Sequence, residues 1–310
     1  GFNFLRLAHY PQDPAVLEAT DRLGLVVWEE IPIVNLISTS DAFAENSERM
    51  LVEMIRQHYN HPSIFFWGYM NEVLLTKPKP VPERYYEIVP ELTRRLEART
   101  RAEDSTRLTV IALSRDEILE DHGIGNIPDI LGLNLYFGWY YETLEGFGPF
   151  LDRLHAQHPE RAYMISEYGA GSDERIHSRN PVAFDFSTEH QQRFHTESFR
   201  QLRERPYILA TGVWNQFDFG SNHRQDSKPA LNQKGLFYFD RTPKDIFYYY
   251  QAQLLGEPVL HIAARDYAFR AGSRPEDRTH TVHVYTNQPE VELWHDGVSR
   301  GKRVPENSTA

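Results

Sequence analysis

Residues 63–73 read SIFFWGYMNEV, an apolar run that ends on a carboxamide and a carboxylate, Asn71 and Glu72. A strand covered on both faces, as in a parallel sheet, reads as a continuous apolar run. The question is why such a strand would end on a charge. Short runs of the same kind occur at 2–8 (FNFLRLA), 25–30 (LVVWEE), 108–113 (LTVIAL), 130–136 (ILGLNLY), 162–167 (AYMISE) and 208–217 (ILATGVWNQF). Helical patterns fall between most of them. One opens at Asp13-Pro14, an N-cap followed by a proline in the first turn. Others cover 45–58, 82–101, 147–158, 188–204 and 245–255. Strand alternating with helix predicts a parallel sheet.

Two α/β architectures accommodate this order. A doubly wound open sheet would carry a Gly-rich phosphate turn after an early strand, and none is present. A (β/α)8 TIM barrel places its active site at the C-terminal ends of its strands. Polar residues gather at those ends: His9, Glu29 and Glu30, Asn71 and Glu72, Asn134 to Tyr136, Glu167, and Trp214 with Asn215. The sequence therefore reads as a barrel over 1–257 that lacks its first strand and helix. After Gly256 the period changes to two, in PVLHIAARDYAFR, HTVHVYTN and VELWHDGVSRGKRV, with an Asp296-Gly297 turn in the last. Residues 258–310 read as the opening strands of an antiparallel β-sandwich of immunoglobulin-like type, stopping before it closes.

Composition removes several function classes. The chain of 310 residues carries a formal charge of −11 and no basic run that could neutralise phosphates, so no nucleic-acid partner is expected. No apolar run reaches the roughly 18 residues that a membrane span needs, and no membrane partner is expected. The absence of cysteine rules out disulfides and thiolate chemistry. The first residues, GFNFLRLAHYP, already lie in a strand pattern without an initiator Met or a signal peptide, so further chain is expected upstream. Periplasmic or secreted placement and a homo-oligomer are both compatible with this composition. Aromatics make up 13% of the chain, which suits a large core and equally a site that stacks rings on sugar faces.

Glu167, in MISEYGAGS, ends a strand three βα units beyond Glu72, at roughly 32 residues per unit. Both side chains are then expected at one mouth of the barrel. Two carboxyls flanking a scissile bond are what glycoside hydrolysis requires, one as proton donor and one as anion. The anion raises the donor's pKa and separates the two roles. Each could instead be a structural carboxylate satisfied by a neighbouring cation or backbone.

The segments NHPSIFFWGYMNE, MISEYGAGS and GVWNQFDF together resemble glycoside hydrolase family 2, which contains β-galactosidases, β-glucuronidases and β-mannosidases. The resemblance runs from FNFLRLAHYPQDP through NQKGLFYFDRTPKDIFYYYQAQ, and PVLHIAARDY and VELWHDG resemble the sandwich that follows the barrel in bacterial members. It implies a retaining exo-β-glycosidase with Glu72 as general acid/base and Glu167 as nucleophile. It implies that Asn71 hydrogen-bonds the sugar 2-hydroxyl, that His9 contacts the terminal sugar, and that Tyr136 hydrogen-bonds the nucleophile. Arg6 is implied as the nucleophile's cationic partner, and Trp214 as the floor on which the sugar stacks. For His9 and Trp214 a plain core role stays open, and Glu30 and Asp218 read equally well as counter-charges.

Family members with a magnesium site carry histidines where this chain has WEEIPIVN and EYGAG, so neither a catalytic metal nor any other cofactor is expected. LNLYFGWYY and LNQKGLF resemble segments from which β-glucuronidases bind the substrate carboxylate, with Tyr140, Asn232 and Lys234 at the matching positions. The same Asn-x-Lys-Gly pattern occurs in β-galactosidases with similar downstream domains. On DRTPKDIFYYYQAQ and PVLHIAARDY the expectation is β-galactosidase first, with β-glucuronidase and then β-mannosidase as alternatives. A non-catalytic carbohydrate-binding barrel could dispense with either carboxylate, and a metal-dependent hydrolase would need His and Asp ligands at several strand ends. A barrel without its first strand leaves the strands at 2–8 and 208–217 each short of one neighbour. Residues 1–310 alone are therefore expected to be aggregated or partly unfolded, and inactive.

Overall fold

The computed structural model describes residues 1–120, 122–265, 267 and 281–310. Seven strands form one parallel sheet in sequential order: β1 Phe4–Leu7, β2 Val26–Glu30, β3 Ile64–Asn71, β4 Leu108–Ser114, β5 Ile130–Asn134, β6 Ala162–Tyr168 and β7 Ile208–Val213. Helices α1 Pro14–Leu23, α2 Asp41–His58, α3 Tyr85–Glu103, α4 Arg115–Glu120, α5 Phe147–Gln157, α6 Thr188–Arg203 and α7 Asp245–Leu254 follow the strands. Each strand pairs in parallel with its sequence neighbour, and β1 and β7 each have a single partner. The result is a nearly closed barrel of the (β/α)8 kind. The predicted cap of α1 forms, with Asp13 accepting from Ala15 N and Gly24 ending the helix at φ 66°.

Alternation along the strands sorts two cores. Leu5, Val27, Trp67, Ile111, Leu133 and Ile165 face outward and pack beneath the helices. Phe4, Trp28, Phe66, Val110, Ala112, Ile130 and Met164 fill the barrel. Trp28 fits only because two strand positions facing it are glycines. A Cβ on Gly68 would sit 2.2 Å from the indole Nε1, and one on Gly132 would sit 2.7 Å from Cη2. The buried indole lies at the base of the strand-end residues, with the Arg6 guanidinium 4.3 Å above its ring centroid.

Two features depart from the expectation. The last barrel strand ends at Val213, not 217, and a hairpin of β8 Phe219–Gln225 and β9 Pro229–Asn232 follows it. Beyond α7, β10 Leu260–Ile262 pairs antiparallel with β11 Val284–Thr286, and β12 Val291–His295 with β13 Val298–Arg303. Asp296 and Gly297 make the turn of the last hairpin, both at positive φ. The strand expected through Arg270 and the start of HTVHVYTN lie partly outside the described residues.

Candidate active site

Local backbone delivers the two carboxylates. The ladder between β3 and β4 shifts register between Gly68 and Asn71, after which Asn71 pairs with Ala112. Glu72 N then donates to Ala112 O at 2.9 Å, and Glu72 adopts a left-handed backbone with φ 51°. That conformation costs a non-glycine residue about 1–3 kcal/mol and is typical of residues fixed at functional sites. On β6, Glu167 pairs with Asn134 of β5 after a similar register shift. Both shifts fall at the C-terminal rim of the barrel.

One buried guanidinium organises the rim. Arg6 Nη1 donates to Glu167 Oε1 at 2.9 Å, Nε and Nη2 form a fork onto Glu30 at 3.1 and 3.0 Å, and Nη2 also reaches Asn71 Oδ1 at 2.9 Å. Burial opposes the charge of Arg6, but Glu30 and Glu167 outweigh it and hold its pKa above the ordinary arginine value. Glu30 is likewise penalised by burial, yet Arg6 and His9 hold its pKa below the usual range. Glu30 is thus the counter-charge of Arg6, and it accepts from His9 Nδ1 at 2.7 Å. Glu29 points elsewhere, to His58 at 2.8 Å.

The environments of Glu167 and Glu72 differ in kind. Glu167 accepts from Arg6 and, at 2.7 Å, from the Tyr136 hydroxyl. Burial and the neighbouring Glu167 charge push the Tyr136 phenol well above its normal pKa, so it stays a donor. Glu72 has no printed ion-pair partner among the described residues. Burial first, and then the Glu167 charge, push its carboxyl up to about 8. One carboxyl is held as an anion and the other keeps its proton at neutral pH.

The remaining expected residues lie around this pair. Asn71 Oδ1 accepts from both Arg6 and Asn134 Nδ2 (3.0 Å), and Asn134 is oriented in turn by Ser166 at 2.6 Å. With its oxygen occupied, Asn71 has its NH2 left to donate. The His9 ring stacks on Trp214 with centroids 5.1 Å apart, and its Nε2 lies 3.9 Å from Glu167. Lys234 Nζ donates to the Tyr140 hydroxyl at 2.8 Å and lies 5.7 Å from the ring centroid of Tyr136, the partner of Glu167. Asn232 Oδ1 accepts from the Lys234 backbone N–H at 3.2 Å. Every residue expected at the site is therefore connected to this rim.

A buried ion pair supports Lys234 from behind. Lys244 Nζ donates to Asp218 Oδ1 at 2.9 Å and to Gln233 O at 2.8 Å, and Asp218 Oδ1 also accepts from Gly235 N at 2.8 Å. The peptides on either side of Lys234 are thus held by one pair, and Asp218 is a counter-charge. Sequence reasoning missed Lys244, Asn134 as the aligner of Asn71, and Arg224, whose two Nη atoms each lie 3.1 Å from Tyr140 OH. Arg224 sits in SNHRQDSK, a polar stretch without the alternation or β-branched residues that announce a strand. Among the described residues no three His, Asp or Glu side chains gather as a metal site would require.

An anionic carboxylate and a protonated one at the mouth of a parallel barrel define a glycoside hydrolase site. The sequence matches the family described as "Glycosyl hydrolases family 2, TIM barrel domain" over residues 1–256, and the chain belongs to this family. Beta-glucuronidase of Bacteroides fragilis is 38% identical across 98% of this chain and 43% of its own length. The crystal structure of Bacteroides uniformis beta-glucuronidase superposes with a TM-score of 0.93 at 47% identity, covering 99% of this chain and 38% of that one. A structure described as a putative beta-galactosidase of Bacteroides fragilis gives a TM-score of 0.86 at 33% identity, over 96% and 43% of the two chains. The chain thus spans about two fifths of the length of these relatives.

Proposed function

We propose that this barrel is the catalytic domain of a retaining β-glucuronidase, in preference to the β-galactosidase that the sequence alone favoured. The observation carrying this choice is Lys234. Its ammonium is buried one tyrosine ring from Glu167, and among the described residues no carboxylate lies within ion-pair distance of it. Burial pushes its pKa down. Leaving a buried cation unpaired is costly unless a ligand supplies the anion. A glucuronide carries a carboxylate where a galactoside carries a hydroxymethyl group. The relatives named beta-glucuronidase support the same choice, and the putative beta-galactosidase keeps the second reading in view.

In this reading Glu167 attacks the anomeric carbon while Glu72 gives its proton to the departing glycosidic oxygen. Water then attacks the glycosyl ester, Glu72 takes back a proton, and Glu167 is released. Arg6 and Tyr136 align the attacking oxygen, and the Asn71 NH2 donates to the 2-hydroxyl. Rates on 4-nitrophenyl β-glucuronide, β-galactoside, β-glucoside and β-mannoside test the assignment. The glucuronide is expected to be cleaved best, and Lys234→Ala is expected to remove that advantage through loss of a charge-assisted contact. A wild-type preference for the galactoside would overturn it.

A further inference from the structure

We infer that Arg224, on the β8–β9 hairpin, is a second cation of the uronate subsite and sets substrate specificity together with Lys234. The inference rests on the glucuronidase reading and extends it to a residue outside the Asn-x-Lys segment.

The geometry at Tyr140 is oversubscribed. Its hydroxyl oxygen faces Lys234 Nζ at 2.8 Å and both Nη atoms of Arg224 at 3.1 Å. A phenol oxygen has two lone pairs to offer three donors. It is also a neutral acceptor, whereas guanidinium and ammonium groups form their stronger bonds with anions. The two cations consequently stand within about two hydrogen-bond lengths of each other. The nearest acid to Arg224 is Asp226 at 3.7 Å, beyond hydrogen-bond distance, so it leaves the Nη edge free to face Tyr140. Two like charges gathered around one neutral oxygen describe an anion site without its anion.

The position admits a ligand. Tyr140 is 42% exposed and the Arg224 side chain 30%, while Lys234 is buried at 1%. The ring of Tyr140 packs on that of Tyr136, whose hydroxyl holds Glu167. A carboxylate entering here accepts from Lys234 at the buried side and from the Arg224 fork at the open side. The Tyr140 hydroxyl is then relieved of its donors and becomes a donor itself. Arg224 thus covers the outer face of the group that Lys234 binds from within.

The test uses the intact protein and four variants, Arg224→Gln, Arg224→Lys, Arg224→Glu and Lys234→Ala, assayed on 4-nitrophenyl β-glucuronide and β-glucoside. These substrates differ only at C6. Arg224→Gln is expected to lower kcat/KM on the glucuronide by about ten- to a hundredfold and on the glucoside by less than about threefold, the range for one charged hydrogen-bond partner. Arg224→Lys should recover part of the loss, and Arg224→Glu should deepen it. Product inhibition gives a second reading: the Ki of free glucuronate should rise in Arg224→Gln while that of glucose stays constant. Equal losses on both substrates, or an unchanged glucuronate Ki, would overturn the role of Arg224. If Lys234→Ala still removed the glucuronide preference, the proposed function would stand without it. A wild-type enzyme that does not favour the glucuronide overturns both, and that outcome is read before any variant is made.

Discussion

Arg6 Nη1 donates to Glu167 Oε1 at 2.9 Å, while the opposite edge of the same guanidinium is taken by Glu30. The position of the nucleophile is therefore set by a planar fork fixed on both sides. Lysine carries the charge but not the fork. Arg6→Lys is expected to lower kcat by at least about a hundredfold, the cost of misplacing a reacting group by an ångström or so. Stopped-flow and steady-state rates on an aryl β-glucuronide check this. A loss confined to KM would mean that Arg6 binds substrate and does not align Glu167.

Retention of configuration follows from the proposed roles of the two carboxyls. Proton NMR of the first turnover product should show the β-anomer before mutarotation. Glu167→Gln should abolish turnover, whereas Glu72→Ala should spare substrates with good leaving groups far more. Carboxyl groups about 8–9 Å apart in a crystal structure would contradict the assignment, since retaining pairs lie at about 5–5.5 Å.

The raised pKa of Glu72 fixes one side of the pH profile. The acid must be protonated, so kcat/KM should fall as pH rises through about 8. Stability responds in the same direction. Between its ordinary value of 4.5 and about 8 the folded protein keeps a proton that the unfolded chain has released. Each unit of pH across that window therefore destabilises the fold. Glu72→Gln removes this dependence and should raise stability at pH 8 by a few kcal/mol, on the order of the pKa difference expressed as free energy. Denaturant melts at pH 5 and pH 8 should show the two proteins converging at the lower value.

The Asp218–Lys244 pair is almost fully buried, with side chains 1% and 2% exposed. Removing one partner leaves an uncompensated charge, so Lys244→Met should cost about 3–5 kcal/mol in urea unfolding. Replacing both, as Asp218→Leu with Lys244→Met, should recover most of that stability. It should not recover glucuronide turnover, because Gln233 O and Gly235 N have lost the pair that holds Lys234 between them. Full kinetic recovery in the double variant would show that the pair acts on stability alone.

Much of this site was legible because strand ends are local features. An apolar run that stops at Asn71-Glu72, and another that stops at Glu167, announce their residues without knowledge of any contact. The Asn-x-Lys segment was legible through family resemblance. The β8–β9 hairpin was not, since His223, Arg224, Gln225 and Asp226 give neither alternation nor turn chemistry that a local rule can use. It is built between Trp214 and Lys234, where both ends are anchored to the barrel by Asn215 N on Lys234 O and Leu236 N on Asn215 O. The choice of sugar followed the same divide. Downstream segments pointed to a galactosidase, while the buried unpaired ammonium of Lys234 favours a glucuronide.

From sequence alone came the strand–helix alternation, the seven parallel strands and the identity of the two carboxylates. All three depend on periodicity and chain order, which neighbouring residues encode directly. Tertiary structure alone decided that Glu30 balances Arg6 rather than serving the reaction, that Asn134 turns the Asn71 amide, and that Asp218 and Lys244 brace Lys234. It also decided which carboxyl keeps its proton. Glu72 and Glu167 are chemically identical side chains at equivalent strand ends. They differ because one meets a guanidinium and a phenol, while the other meets low-dielectric surroundings and its partner's negative charge.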